Sequence, residues 1–269
     1  MLRLTYHADT RIPVEAECVT PDNLAGKSPR EIAHLSVQHG NTSAPLGEFF
    51  KVEGDADDGD VVVEGDTSRV KWLGAGMSRG LLTITGDAGM HTGAEMTGGT
   101  LTVRGNTGDW VGAEMCGGTI HVHGNAGHLV GAAYRGAHVG MRGGVILVRG
   151  TAGNEVGAGM RRGLIAVGAA ADFVGVSMVA GSVFVFGPSG QRPGAGMKRG
   201  TLVFAGPPPQ TLVTFRQGCV YEPVFLAIYL RRLASWGYPV PTEVFGARWR
   251  RHSGDLVSLG KGEILTREV

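Results

Sequence analysis

Two glutamates at the same position of a repeated sequence are the first candidates for chemistry. Glu95 and Glu114 each follow a Gly-Ala pair and precede a methionine, 19 residues apart. Stacked strands lie about 4.8 Å apart, so equivalent positions on successive repeats bring these carboxylates together. Paired carboxylates can exchange protons or hold a cation. No water-activating group accompanies them, so corner capping or an interface salt bridge is the favoured interpretation.

A second candidate is an insertion that contains Tyr134, Arg135 and His138. It lengthens one repeat to 26 residues, where the next repeats have 18 and 19. Insertions in repeat proteins emerge as loops, often on the binding face, and Tyr and Arg are common interface anchors. The segment is predicted either to contact a partner or ligand or to be a solvated loop.

A row of basic residues forms a third candidate, comprising Arg79, Arg142, Arg161, Arg162, Lys198 and Arg199. Such a row suits an anionic partner or a polycarboxylate tail, although a solvated edge is the plainer interpretation. His121 and His123 share one strand face, but the sequence fixes no third ligand for a metal. We therefore predict no catalytic, cofactor-binding or metal-binding residue on this chain.

The elements that position these residues are repeats. Glycine opens each unit, at intervals of 18 to 26 residues: Gly65, Gly86, Gly105, Gly124, Gly150, Gly168, Gly187 and Gly206. Before each glycine, apolar residues alternate with others, which predicts a strand with one buried face. The inward pairs are Val61/Val63, Leu82/Ile84, Leu101/Val103, Ile120/Val122, Ile146/Val148, Ile165/Val167, Val183/Val185 and Leu202/Phe204.

Two further columns of apolar residues complete each unit. One is Leu73, Val111, Val130, Val156 and Val174; the other is methionine, at positions 77, 96, 115, 141, 160, 178 and 197. Short extended segments joined by glycine corners, about 20 residues to a coil, predict an all-β protein built as a parallel β-helix. The thioethers are expected to fill the core.

The flanking segments predict caps. Residues 1–60 are interpreted as a small mixed α/β cap, with strands at Leu2–His7 and Val14–Val19 and a helix at Ser28–His34. Residues 61–206 form the glycine-rich solenoid. Residues 207–269 are predicted to hold a helix at Pro223–Ser235, which packs on the apolar outer positions of the late coils, and a strand pair within Asp255–Leu265, across Gly260.

Composition limits the partners. The 269 residues carry a net charge of +1, which argues against nucleic acid. Three widely spaced cysteines suit a reducing cytosol. Neither a signal peptide nor a membrane span is expected, so a cytoplasmic location is predicted.

The chain resembles the C subunit of formylmethanofuran dehydrogenase. The resemblance is carried by GMHTGAEMTGG from Gly89, GAEMCGG from Gly112 and GNAGHLVGAAYRGAHVGMRGG from Gly124. It extends to the Val14–Glu17 and Pro21–Asn23 segments and to Ser253–Asp255 with Gly260–Glu263, and so covers nearly the whole chain. The repeat motif alone is less specific, because the C-terminal domain of glutamate synthase uses it too.

The resemblance implies a right-handed β-helix inside a multisubunit enzyme. The archaeal complex reduces CO2 to a formyl group on methanofuran, with a tungsten or molybdenum pterin and iron–sulfur clusters on other subunits. The bacterial formyltransferase/hydrolase complex instead moves formyl from tetrahydromethanopterin to a methanofuran-type carrier and hydrolyses it to formate. Its A subunit resembles zinc amidohydrolases, and its D subunit is the formyltransferase.

The 20 arginines and 5 lysines favour the bacterial complex. On this hypothesis the chain is a structural subunit that docks the A, B and D subunits, while zinc and the carrier belong to those partners. Tyr134, Arg135, His138, Glu95, Glu114, Arg161 and Arg162 are the candidate contacts with a subunit or carrier. The alternatives are the C subunit of the archaeal dehydrogenase and a free-standing binding module with a glutamate-synthase-like β-helix.

Overall fold

A computed structural model describes residues 1–268 and contains seventeen strands and three α-helices. The strands are β1 Leu2–Tyr6, β2 Val14–Glu15, β3 Ser36–His39, β4 Thr42–Pro45, β5 Phe50–Glu53, β6 Asp60–Glu64, β7 Val70–Lys71, β8 Leu81–Ile84, β9 Thr97–Val103, β10 Gly117–Val122, β11 Val145–Ala152, β12 Leu164–Ala170, β13 Ser182–Val185, β14 Arg199–Phe204, β15 Arg216–Tyr221, β16 Trp249–Gly254 and β17 Lys261–Arg267. The helices are α1 Pro21–Leu24, α2 Pro29–Ala33 and α3 Val224–Ser235, with 3₁₀ turns at Leu46–Glu48 and Thr242–Val244.

One sheet of thirteen strands dominates the molecule, in the order β15-β16-β17-β14-β13-β12-β11-β10-β9-β8-β6-β1-β5. Pairing is parallel from β1 to β17 and antiparallel at the two ends, where β5 joins β1 and where β16 and β15 follow β17. The all-β prediction is therefore confirmed.

Successive strands of this sheet align with the repeat. Val61 lies opposite Leu82, and Leu82 lies opposite Leu101, in strands that are consecutive in the sheet. Every residue of the predicted inward pairs is at most 1% exposed, and all seven methionines of the repeat column are fully buried. Period-two alternation thus predicted the buried face correctly, because a parallel in-register stack places equivalent side chains above one another.

Close backbone approach explains some of the glycines. A Cβ on Gly117 would lie 2.2 Å from the carbonyl oxygen of Thr97 on the preceding coil. No side chain fits at that distance. Glycine therefore allows the coils to stack at this corner.

Polar side chains also bond one coil to the next. The Oδ1 atom of Asp87 accepts the N–H of Asn106 at 2.7 Å, and Oδ1 of Asn106 accepts the N–H of Asn125 at 2.8 Å. A parallel series passes through His128, whose Nδ1 accepts the N–H of Asn154 at 2.8 Å. These bonds satisfy backbone donors at the corners, where strand pairing does not reach.

The N-terminal region adds a small sheet of order β4-β3-β2-β7. Helix α2 begins with the predicted capping box, in which Ser28 and Glu31 exchange hydrogen bonds. Strand β2 is shorter than expected and ends at Glu15.

Helix α3 covers the late coils, as predicted. Leu226, Leu230 and Leu233 lie on one face and are at most 2% exposed. They pack in one apolar cluster with the outward residues of β11 to β14, which are Leu147, Ala166, Phe184 and Val203. The cover therefore comes from the chain itself.

The predicted strand pair within Asp255–Leu265 was misplaced. The hairpin joins β16 to β17, and its loop runs over residues 255–260, before the predicted turn. Asp255 shapes this loop, since its Oδ1 accepts the N–H of Val257 at 3.1 Å and its carbonyl accepts the N–H of Gly260 at 2.9 Å. Strand β17 then extends the parallel sheet beside β14, a return of the chain that local pattern does not reveal.

Among residues 1–268, no helix has both the length and the apolar composition needed to cross a bilayer.

Candidate functional site

A stack of aromatic rings lies at one corner of the early coils. Trp72, His91 and Trp110 occupy equivalent positions, and each has a positive φ of 60° to 67°. Each donates its backbone N–H to a carbonyl of the following coil, as His91 does to Asp109 at 2.9 Å. The coil spacing therefore stacks the rings. The Trp72 and His91 centroids are 4.3 Å apart with planes 9° apart, and the His91 and Trp110 centroids are 5.4 Å apart.

Tyr134 of the insertion lies against this stack. Its ring centroid is 5.5 Å from that of His91 and about equally far from both tryptophans, at 6.1 and 6.2 Å. Its hydroxyl oxygen is 3.0 Å from Nδ1 of His91. Tyr134 therefore anchors the insertion to the coils, through ring contacts and one hydrogen bond.

Burial sets the protonation of this pair. Loss of solvent raises the pKa of Tyr134, and the nearby charges of Glu95, Glu114 and Glu17 raise it further. Loss of solvent also lowers the pKa of His91, assisted by the positive charge of Lys71. Both groups are thus neutral at pH 7, and the phenol can donate to an unprotonated Nδ1.

Glu114 fixes the start of the insertion. Its Oε1 accepts the backbone N–H of Tyr134 at 3.1 Å, and its Oε2 lies 3.9 Å from Nη2 of Arg142. Its own backbone has a positive φ of 53°. The carboxylate therefore holds a corner, and the contact with Arg142 adds a partly exposed ion pair.

Glu95 is one coil earlier, but its side chain is exposed. It borders a groove of about 650 Å³ between the N-terminal segment and the coils, shared with Glu17, Asp22 and Trp72. The two glutamates thus occupy equivalent corners with different surroundings. Only the carboxylate of Glu114 bonds to the insertion.

The remaining candidates are divided between two other cavities. Arg135 and His138 are exposed at the rim of one of about 330 Å³, which Tyr134, Glu155 and Ser177 also line. Arg161 and Arg162 line a separate one of about 410 Å³, together with Lys198 and Arg199. The structure therefore brings together Tyr134, Arg135, His138 and Glu114, and it places the arginine pair elsewhere.

The aromatic stack itself was missed from the sequence. Trp72, His91 and Trp110 each precede the second apolar column or its equivalent by one residue. Aligning the repeats on Gly74, Gly93 and Gly112 would have shown three aromatic rings in register, each two residues before its glycine. No group of three or more His, Cys, Asp or Glu side chains within residues 1–268 is arranged to hold a metal ion.

Comparison with known proteins places this fold in a family. One chain of the formyltransferase/hydrolase complex (FhcABCD) from Methylorubrum extorquens, solved in complex with methylofuran, superposes with a TM-score of 0.93. The two chains are 34% identical, and the match covers 99% of this chain and 100% of the other. The chain belongs to the family of formylmethanofuran dehydrogenase C subunits.

Curated members of this family match over a shorter segment. The C subunit of the molybdenum-containing formylmethanofuran dehydrogenase 1 of Methanothermobacter marburgensis is 44% identical over 91 residues, which are 34% of this chain and 23% of that protein. The C subunit of the tungsten-containing formylmethanofuran dehydrogenase 2 of Methanothermobacter thermautotrophicus is 38% identical over 94 residues, 34% of this chain and 35% of that protein. The chain thus spans about a quarter to a third of the length of these relatives. No family model matches it.

Proposed function

We propose that this chain is the non-catalytic structural subunit of a formyltransferase/hydrolase complex. The complex would transfer formyl from tetrahydromethanopterin to a methanofuran-type carrier and release formate. The observation that carries the proposal is the likeness to a chain of the Methylorubrum extorquens complex, which extends over 99% of this chain. The curated dehydrogenase subunits match only about a third of it.

The proposed architecture is a right-handed parallel β-helix over residues 61–206, capped by residues 1–60 and 207–269. A second series of parallel bridges supports it, running Thr67–Ala88–Thr107–Ala126–Ala152 beside the large sheet. Hydrogen bonds at the corners add a third line of coil-to-coil contact, such as Gly93 N–H to Leu73 O at 2.9 Å. Three lines of contact for each coil give a rigid rod.

The contacts of the candidate site favour a scaffold over a reaction centre. The phenol of Tyr134 is bonded to His91, and the carboxylate of Glu114 is bonded to the Tyr134 backbone. Both groups therefore hold the insertion in place, which leaves Arg135 and His138 exposed to meet a subunit or the carrier. We place the zinc and the carrier on the A, B and D subunits, in the cytoplasm.

A rigid scaffold would hold two partner active sites at a fixed separation. A carrier tethered to the complex could then exchange its formyl group between them at high effective concentration. The second candidate is the C subunit of a tungsten or molybdenum dehydrogenase. The 44% identity to the Methanothermobacter marburgensis protein over 91 residues favours it.

Co-expression tests the proposal. The tagged chain should purify with the A, B and D subunits when they are expressed together, and the complex should contain zinc without molybdenum or tungsten. A molybdenum or tungsten pterin in the complex would select the dehydrogenase. A soluble monomer that retains none of the subunits would refute both.

The exposed part of the loop can be tested in the same preparation. An Arg135→Glu/His138→Glu variant should lose a subunit or the carrier, whereas an Arg216→Glu control, exposed on β15, should retain both.

A further inference from the structure

A basic ridge lies on the late coils. It consists of Arg161, Arg162, Lys198, Arg199 and Lys261, all of which are exposed. No ion pair within residues 1–268 includes any of these five side chains. Five like charges on one edge repel one another, so the edge has a net attraction for a negatively charged partner.

The spacing of the ridge follows from the coils. The backbone N–H groups of Arg161, Val179 and Lys198 donate to Met141, Met160 and Met178, so they are equivalent positions on three consecutive coils. Two basic pairs therefore flank one apolar coil. Stacked strands are about 4.8 Å apart, which puts the pairs about 10 Å from each other.

The protein surface between the two basic pairs is apolar. Val179 and Ala180 line the same cavity of about 410 Å³ as the arginines, and Leu259 closes one side. Leu259 is 47% exposed, and Val257 in the same loop is 78% exposed. The surface thus alternates from basic to apolar to basic, within the reach of a short peptide.

We propose that the basic ridge docks an extended acidic segment of a partner polypeptide. The segment carries acidic residues on either side of an apolar one. In an extended chain, residues two apart share a face, so an acidic–apolar–acidic face places its outer residues about 13 Å apart. The long side chains of arginine, lysine and glutamate span the difference between that distance and the separation of about 10 Å between the basic pairs. The carboxylates pair with the arginines and lysines, while the apolar side chain enters the groove beside Leu259. This inference rests on the proposed function, since it identifies the face that a neighbouring subunit would use.

A labelled peptide tests the ridge on the isolated chain. The probe is acetyl-Glu-Glu-Leu-Leu-Glu-Glu amide with a fluorescent tag, measured by anisotropy at low salt. Arg162→Glu/Lys198→Glu should weaken binding about tenfold or more, because two attractive charges become repulsive. The control Arg30→Glu/Arg231→Glu makes the same charge change at exposed sites on helices α2 and α3 and should bind as the wild type does.

Two further peptides separate the alternatives. The glutamine version of the probe should not bind, and binding of the original should weaken steeply as salt is raised. Hexaglutamate should bind more weakly than the probe, since it lacks the apolar centre. Equal binding of hexaglutamate, or no binding of the probe up to millimolar concentration, would overturn the proposal. The chain could still purify with its subunits in that case, so failure of the ridge is distinguishable from failure of the proposed function.

Discussion

The contact between Tyr134 and the aromatic stack makes a quantitative prediction. Tyr134→Phe deletes the hydroxyl that lies 3.0 Å from Nδ1 of His91 and keeps the ring. A hydrogen bond of this kind contributes about 0.5–1.5 kcal/mol net to the free energy of unfolding. The half-buried position favours the lower half of that range.

Tyr134→Ala removes the ring as well. Truncating a fully buried aromatic residue costs about 3–5 kcal/mol, and Tyr134 is only partly buried. Its ring is within 6.2 Å of three aromatic neighbours. We therefore expect the free energy of unfolding to fall by about 2–3 kcal/mol. The corner itself should stay ordered, but the insertion should no longer be held against it.

Urea unfolding followed by tryptophan fluorescence measures both variants, because Trp72 and Trp110 report directly on the stack. Tyr6→Phe, which deletes a half-buried tyrosine hydroxyl in β1, serves as the control. The insertion is not anchored as described if Tyr134→Phe has the same free energy of unfolding as the wild type and Tyr134→Ala lowers it by only a few tenths of a kcal/mol. Tyr134 would then be free to face a partner.

Three further predictions concern the coils. His128→Ala should lose about 1 kcal/mol of stability with the bond from Asn154 N–H to Nδ1, whereas His128→Asn should keep it through an amide oxygen; urea unfolding measures both. Gly117→Ala should lower the melting temperature, because its Cβ would lie 2.2 Å from a carbonyl oxygen, while Gly76→Ala meets no atom within 4 Å and isolates the cost of a positive φ. Burial lowers the pKa of His91 below its unfolded value near 6.5, so keeping the imidazole neutral in the folded protein costs no stability above that pH. The free energy of unfolding should therefore fall as the pH drops below about 6.5. His91→Phe should flatten this part of the plot of unfolding free energy against pH.

The sequence was most informative where one local rule sets the structure. Alternation predicted the inward pairs, because a strand in a stacked sheet has one buried face along its whole length. The helix that covers Phe184 and Val203 followed from the same logic, since an apolar outer stripe needs a cover. In both cases the prediction needed only the order of apolar and polar residues within the repeats and the helix.

The parts that were missed depend on distant contacts or on unusual backbone. Trp72 and Trp110 take a positive φ that is normally left to glycine or asparagine, so propensity gives no reason to place aromatic rings at a corner. Strand β17 pairs with β14 after an excursion of more than fifty residues, and no local signal marks that return. The inward direction of the Tyr134 ring depends on His91, 43 residues away.

The chain's own cover restricts where partners can dock. Leu147, Phe184 and Val203 on the outer face of the late coils are at most 2% exposed beneath α3, so that face is already occupied. Two other surfaces lie outside this cover, namely the exposed part of the insertion, with Arg135 and His138, and the basic ridge. On the proposed function, a neighbouring subunit would contact these two surfaces, whose side chains project from backbone that hydrogen-bonds to the next repeat. Because the backbone beneath these side chains is already hydrogen-bonded, binding there would order few additional groups, so affinity can depend on a few side chains.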